Sequence, residues 1–220
     1  MSRAASRVKR ELGRVLHLDR SLAPVPFVVG ASRSGTTLLR LMLDAHPDLA
    51  IPPETHFVPQ AASTCKYAAD PRQALWDLLV SNPRWGDHHI DAGLLRERLA
   101  ALRPFDISDG LRTFYLLYAE RFGKQRWGDK TPDYMLHIET IARVLPEVRF
   151  VHIIRDGRDV ALSVKDLWFG PDSVSEVAGW WMTRIKEAQR QGARVPHYLE
   201  VRYEDLVCHP EAMLKRICAF

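Results

Sequence analysis

Cysteine is scarce in this chain: Cys65, Cys208 and Cys218 are the only ones among 220 residues, and they lie far apart. Three thiols so scattered make neither a disulfide framework nor a zinc site, so a reducing compartment is expected. Long apolar runs are absent as well. The best stretches, 23–30 and 149–154, have the length of strands and fall well short of the ~20 residues that a membrane span requires. No internal repeat or low-complexity tract occurs, which excludes solenoid and collagen-like architectures. His, Cys, Asp and Glu do not recur at ligand-like spacing, and His88-His89 reads as a loop dipeptide. No metal is therefore expected.

What remains is an ordinary globular composition, 46% hydrophobic and 26% charged, long enough to bury a core. One domain over 23–220 is expected, preceded by a basic leader segment, 1–22. The formal net charge is +4. Its excess is largely arginine, whose planar fork suits phosphate and sulfate better than a lysine point charge does. The leader carries Arg3, Arg7, Lys9, Arg10, Arg14 and Arg20, but also Glu11, Asp19 and a modest apolar face. A solvated helix is favoured there over a membrane-surface helix or a presequence. Elsewhere basic residues are interleaved with acids rather than striped, which argues against nucleic acid as a partner.

The first informative unit is Pro26-Phe-Val-Val-Gly30, a short β-branched and aromatic run that reads as a strand. After the loop Gly-Ala-Ser-Arg-Ser-Gly, apolar residues recur at helical spacing (Leu38, Leu39, Leu41, Met42, Ala45) until His46-Pro47 ends the helix. The middle of the chain is mainly helical. Asp70 or Pro71 opens one helix, Asp91 caps a second, and Ser108 caps a third that runs to Gly123. Arg126-Trp-Gly-Asp-Lys-Thr131 predicts a short strand and loop, with Pro132 in the first turn of the next helix. A buried-type strand over 149–154 leads to a helix through Leu167, then a long helix over 173–191 and a strand over 197–201. Strands alternating with helices predict an α/β fold of the P-loop type, a mainly parallel sheet flanked by helices on both faces.

Gly30-Ala-Ser-Arg-Ser-Gly35-Thr-Thr37 has the Gly-x4-Gly spacing of a phosphate-binding loop between strand and helix. Gly30 permits the tight turn and Gly35 a close backbone approach, so that the N–H groups of residues 34 to 37 can meet an anion at the helix N-terminus. Nucleotide hydrolases place a lysine after the second glycine, where it serves a triphosphate with its metal. Here that position is Thr36, with Arg33 inside the loop, which suits a smaller anionic group held without metal.

Two further elements extend the pattern. Arg155-Asp-Gly-Arg-Asp-Val-Ala-Leu-Ser163 sets an arginine at a strand end and a serine eight positions on, and Arg202-Tyr-Glu-Asp-Leu206 follows the late strand. With the glycine loop, these resemble in order the motifs of sulfotransferases that use 3′-phosphoadenosine 5′-phosphosulfate (PAPS) as donor and release 3′-phosphoadenosine 5′-phosphate (PAP). The likeness runs from about Pro26 to the end of the chain. The stretch from Arg33 to Asp48, followed by Pro53-Glu-Thr-His-Phe57, is most similar to tyrosylprotein sulfotransferases and related bacterial enzymes.

The resemblance implies a PAPS-dependent sulfotransferase, a bacterial cytoplasmic enzyme without a transmembrane segment. Arg33, Ser34, Gly35, Thr36 and Thr37 would hold the 5′-phosphosulfate, Arg155 and Ser163 the 3′-phosphate, and Tyr203 would line the nucleotide site. The glutamate of the Glu-Thr pair is the base in that group, which corresponds to Glu54. Steroid and phenol sulfotransferases carry a histidine after a Lys-x-His element, but here Lys130-Thr131 is followed by Pro132, which cannot take a proton. His56 is the runner-up. Lys130 is the candidate for charge on the leaving oxygen and Arg33 for charge on the transferred group. An upward shift of the Glu54 pKa by partial burial would aid its role.

The acceptor is a hydroxyl on a small molecule, a glycolipid or a peptide, and homodimerisation is left open. The apparent helix reaching Phe220 suggests that the usual C-terminal nucleotide-covering segment is lacking. A P-loop nucleotide kinase, with Asp156 as its acid after a strand, and a catalytically silent nucleotide-binding module are the alternatives.

Overall fold

The computed structural model describes residues 23–164 and 173–220. The basic leader and the expected end of a helix at Leu167 lie outside the described residues.

The chain opens with strand β1 (Val25–Val29), crosses the glycine loop into helix α1 (Thr36–Asp44), and forms the two-residue strand β2 (Leu49–Ala50). A helical insert follows: α2 (Val58–Thr64), α3 (Pro71–Val80), α4 (Trp85–His88), α5 (Ala92–Ala101) and α6 (Ile107–Glu120). Short strands β3 (Arg126–Trp127) and β4 (Asp129–Lys130) lead through a 3-10 turn (Pro132–Leu136) to α7 (Ile138–Val144). Then come β5 (Val148–Ile154), α8 (Gly157–Val164), α9 (Val174–Gly192), β6 (Tyr198–Arg202), α10 (Tyr203–Cys208) and α11 (Pro210–Ala219).

The main sheet has four strands in the order β4-β1-β5-β6, and each adjacent pair is parallel. Strands β2 and β3 form a separate parallel pair. Alternation along β1 and β5 decides what covers each face. Val25, Phe27, Val29, Val148 and Phe150 face the helical insert and α7, where they pack with Leu75, Leu95, Phe114, Tyr115 and Ile141. Val28, Val151, Ile153 and Val201 face the other way, against Leu39 and Leu43 of α1, Leu206 of α10 and Met213 and Ile217 of α11. Helices therefore cover both faces, as the near-continuous apolar strands predict.

Local signals operate where expected. Asp70 accepts from the N–H groups of Arg72 and Gln73, and Asp91 from that of Leu94. Ser173 and Glu176 form a reciprocal capping box at the start of α9.

Four expectations need correction. The third helix is capped by Asp106, whose side chain accepts from the N–H of Ser108, so Ser108 is the second helical residue rather than the cap. Pro132 starts a 3-10 turn, and α7 begins only at Ile138. The 126–131 stretch divides at Gly128, each half pairing with a different sheet. A Cβ at Gly128 would stand 2.7 Å from the Pro26 carbonyl oxygen, so the backbone passes there at glycine distance. Finally, His88 is not a loop residue: it ends α4 and is fully buried, edge-on to Phe114 with ring centroids 5.1 Å apart. Without the solvent that a loop would offer, burial holds its pKa down at about 4.

Candidate active site at the carboxyl ends of the strands

In a parallel sheet, ligands collect where the strands end and the loops begin. The glycine loop leaves β1 at that edge, with Lys130 on β4 to one side and Arg155 after β5 to the other. Val28 is in register with Lys130, and Val29 with His152.

Both glycines of the loop are dictated by contact. A Cβ on Gly30 would lie 2.5 Å from the Ile153 carbonyl oxygen. Gly35 has φ 91°, in the left-handed region, and a Cβ there would run into the Tyr203 ring. Arg33 also takes a positive φ, 70°, an uncommon conformation for an L-residue with a long side chain. The Ser34 N–H donates to the Ala31 carbonyl at 3.1 Å, so it closes the turn and does not join the converging set expected for residues 34 to 37. The N–H groups of Gly35, Thr36 and Thr37 open α1, where no preceding turn supplies acceptors and no side chain caps the helix. Thr36 and Ser34 are buried and Thr37 is exposed.

The Arg-Asp-Gly-Arg stretch divides into two tasks. Asp156 and Arg158 form a bidentate pair, 2.6 Å at its shortest, and the Arg158 N–H donates to the same carboxylate. These hydrogen bonds hold the Asp156 pKa at about 2. The acid on which the kinase alternative relied is thus occupied in starting α8. Arg155 turns to the loop instead. Its Nη1 donates to the Arg33 carbonyl at 3.3 Å, and its guanidinium lies over the Tyr203 ring, 4.8 Å from the centroid. Arg33 Nε donates in turn to Ser163 Oγ at 2.9 Å. Arg33, Arg155, Ser163 and Tyr203 therefore meet, although Arg33 and Ser163 are 130 positions apart. The Arg33 Nε thus faces the serine expected at the 3′-phosphate. Tyr203 opens a short helix, where its ring covers Gly35.

On the β4 side, Lys130 Nζ donates to Glu54 Oε1 at 2.6 Å. Glu54 Oε2 lies 3.0 Å from His56 Nε2. The expected upward shift of Glu54 is overturned. The His56 hydrogen bond and the Lys130 ammonium outweigh burial and lower its pKa to about 2. His56 adopts φ 57°, backbone strain of the kind that tertiary contacts must hold in place. Lys130 does not pair with its sequence neighbour Asp129 among the described contacts. Asp129 is fully buried on the opposite side of the strand. Its Oδ2 accepts from Thr55 Oγ1 at 2.7 Å and from the Tyr115 hydroxyl at 2.9 Å.

Two clamps that no sequence motif announced hold the Glu54 segment. Arg40, on α1, donates twice to the Ile51 carbonyl, at 2.9 and 2.7 Å, and Asp44 one turn later accepts from the Ile51 N–H at 2.8 Å. Beyond Glu54, the Thr55 N–H donates to Thr131 Oγ1 at 3.0 Å. Tyr134 reinforces this: its hydroxyl lies 2.7 Å from Thr55 Oγ1 and accepts from the Val58 N–H at 2.9 Å. The one available signal was alternation, since Asp129 and Thr131 flank Lys130 and must point away from it.

Among the described residues, no group of three His, Cys, Asp or Glu side chains could hold a metal ion. Among the same residues, no helix is long and apolar enough to cross a membrane.

Comparison with known proteins bears on the family and the fold. Protein-tyrosine sulfotransferase 1 of Danio rerio is 26% identical over 205 residues, covering 90% of this chain and 52% of that protein. Nodulation protein NoeE of Sinorhizobium fredii is 28% identical over 238 residues, covering 92% of this chain and 51% of that protein. The chain thus spans about half the length of the curated relatives it matches. Among solved structures, the sulfotransferase domain of the Synechococcus PCC 7002 olefin synthase superposes with TM-score 0.59 at 25% identity, over 91% of this chain and 74% of that one. The sulfotransferase domain from the curacin biosynthetic pathway shares the fold with the same TM-score, at 22% identity and over 90% of this chain and 73% of that one. The model of the sulfotransferase family matches residues 24–220, and the chain belongs to that family.

Proposed function

We propose that this chain transfers a sulfuryl group from PAPS to an acceptor hydroxyl by in-line displacement, with Glu54 as general base. The observation that carries the reading is the Arg33–Ser163 hydrogen bond, because it joins the glycine loop and the Arg155–Ser163 element into one anion-binding cup. A donor with phosphate at both its 3′ and 5′ positions fits such a cup. Arg155 Nε and Ser34 Oγ are buried without a hydrogen-bond partner among the described residues, and an anionic ligand can use donors of that kind.

In this reading the N–H groups of Gly35, Thr36 and Thr37, with the two threonine hydroxyls, bind the 5′-phosphosulfate. Arg33 bridges the two ends of the nucleotide, its Nε on Ser163 and its remaining donors available to the transferred group. Arg155 and Ser163 hold the 3′-phosphate, and Tyr203 braces Arg155 from below. The donor supplies an electrophilic sulfur with a phosphate leaving group, so the chain's work is orientation and charge stabilisation. Glu54 takes the proton of the acceptor hydroxyl as the new S–O bond forms. Lys130 stabilises the electron pair left on the phosphate oxygen as the old bond breaks. His56 and Lys130 together suppress the basicity of Glu54, and turning the ammonium toward the leaving oxygen removes the Lys130 share. The likeness to protein-tyrosine sulfotransferases supports a hydroxyl acceptor, which this reading takes as a small molecule, a glycolipid or a peptide tyrosine.

The test is transfer of label from PAPS to a panel of phenols, sugars, glycolipids and tyrosine peptides, with chelator in excess. Transfer without magnesium is expected. Magnesium-dependent phosphoryl transfer from ATP, or nucleotide binding with no transfer to any acceptor, would overturn the reading.

A further inference from the structure

The Glu54–Lys130 pair joins side chains from two short segments that share little regular structure. Lys130 ends a two-residue strand, and Glu54 lies in the irregular stretch between β2 and α2. Neither long side chain is held by its own backbone. What lies directly beneath them is a buried polar cluster. Asp129 precedes Lys130, Thr55 follows Glu54, and the two are joined through Thr55 Oγ1 and Asp129 Oδ2 at 2.7 Å. The Tyr115 hydroxyl donates to the same carboxylate oxygen at 2.9 Å, and the Tyr134 hydroxyl approaches Thr55 Oγ1 at 2.7 Å. Asp129, Thr55, Tyr115 and Tyr134 are all buried to 2% exposure or less.

A carboxyl group in such a place is costly unless hydrogen-bonded, and replacing it by an apolar residue is often no loss to stability. The contact does, however, set the spacing of the segments that bring Glu54 and Lys130 together. We propose that Asp129 is a positioning residue: through Thr55 it clamps the Glu54 segment to the Lys130 strand and so holds the base and the lysine in contact. The inference rests on the roles proposed above for Glu54 and Lys130. The clamp itself is a property of the chain without ligand.

Strength of the Glu54–Lys130 contact can be read directly, without an acceptor. Lys130 and His56 are the charged or titratable groups that face Glu54, and together they keep its carboxyl ionised well below its ordinary value of 4.5. The experiment follows Glu54 by carbon-13 NMR of its side-chain carboxyl in the full chain from pH 6 down through pH 2, in the wild type, Thr55→Val, Asp129→Asn and the double variant. Thr55→Val keeps the shape and removes the hydroxyl that links the segments. The Glu54 midpoint should rise by about one pH unit in Thr55→Val and in Asp129→Asn, as a loosened ion pair dictates. The double variant should add little to either single one, because both cut one connection. Calorimetry with PAP should find nucleotide affinity unchanged within a few-fold, which separates loss of the clamp from general disruption. An unchanged Glu54 midpoint in folded Thr55→Val overturns the inference, even if Asp129→Asn fails to fold. So does strict additivity of the two shifts. Neither outcome bears on sulfuryl transfer, which the labelled-donor assay decides separately.

Discussion

The two halves of the site are built differently. The proposed anion cup is built on backbone, a glycine loop and the open turn of α1, to which Arg155 after β5 and Ser163 on α8 are joined through Arg33. The base pair is assembled from side chains 76 positions apart, over a buried cluster of Asp129, Thr55, Tyr115 and Tyr134. Glycine alone fits the contacts of the cup's loop, with Ile153 and Tyr203 standing where a Cβ would go. The pair depends on hydrogen bonds that several separate elements must supply together. Binding and chemistry should therefore fail independently.

The sharpest break is expected at Glu54. Glu54→Gln should lower kcat by about two to four orders of magnitude while leaving PAP affinity intact, measured by single-turnover transfer and by calorimetry. Near wild-type turnover in Glu54→Gln, with loss in His56→Ala, would move the base to the histidine.

The complementary break is in the cup. Arg155→Ala removes charge-assisted donors and should lower the preference for PAP over AMP by about 10- to 100-fold. Glu54 and Lys130 lie on the far side of the loop, so the titration of Glu54 should not change. A wild type with equal affinity for both nucleotides would remove the main support for PAPS as donor.

A third test reaches the helical insert beneath the base pair. His88 is buried and neutral, with its pKa near 4 against an ordinary 6.5. A depressed histidine pKa stabilises the fold above pH 6.5, and the contribution is lost as the pH falls through 4. Urea unfolding at pH 7 and pH 5 should therefore differ by roughly 2 kcal/mol more in the wild type than in His88→Phe. An equal pH dependence in the two proteins would mean that His88 is charged or solvated in the fold.

The smallest effect is expected at Ser163. Ser163→Ala removes one neutral hydroxyl beside Arg33 and should weaken PAP a few-fold, by about 0.5–1.5 kcal/mol. A loss as large as that of Arg155→Ala would mean that the serine orients Arg33 rather than merely touching the anion.

Sequence alone determined the strand–loop–helix unit and the parallel α/β architecture, and both follow from local rules: a β-branched run forms a strand, glycine allows a positive φ, and apolar spacing marks a helix. Arg155, Ser163 and Tyr203 were placed with the glycine loop by the resemblance of ordered motifs, and the meeting of Ser163 with Arg33 is a contact across 130 positions. The sequence also pointed to the cap at Asp91 and to helix starts at Asp70 or Pro71 and near Ser173, but took Ser108 for the cap that Asp106 supplies. Tertiary structure decided which acid Lys130 meets. Asp129 is its neighbour in sequence, yet strand alternation sends that carboxylate into the core, and a glutamate 76 positions away takes its place. The direction of the Glu54 pKa was decided in the same way. Burial would have raised it, but a lysine and a histidine within hydrogen-bonding distance stabilise the charged form more than burial opposes it. Which charges meet across a fold is set by the packing of distant segments, and a reading of local spacing has no access to that.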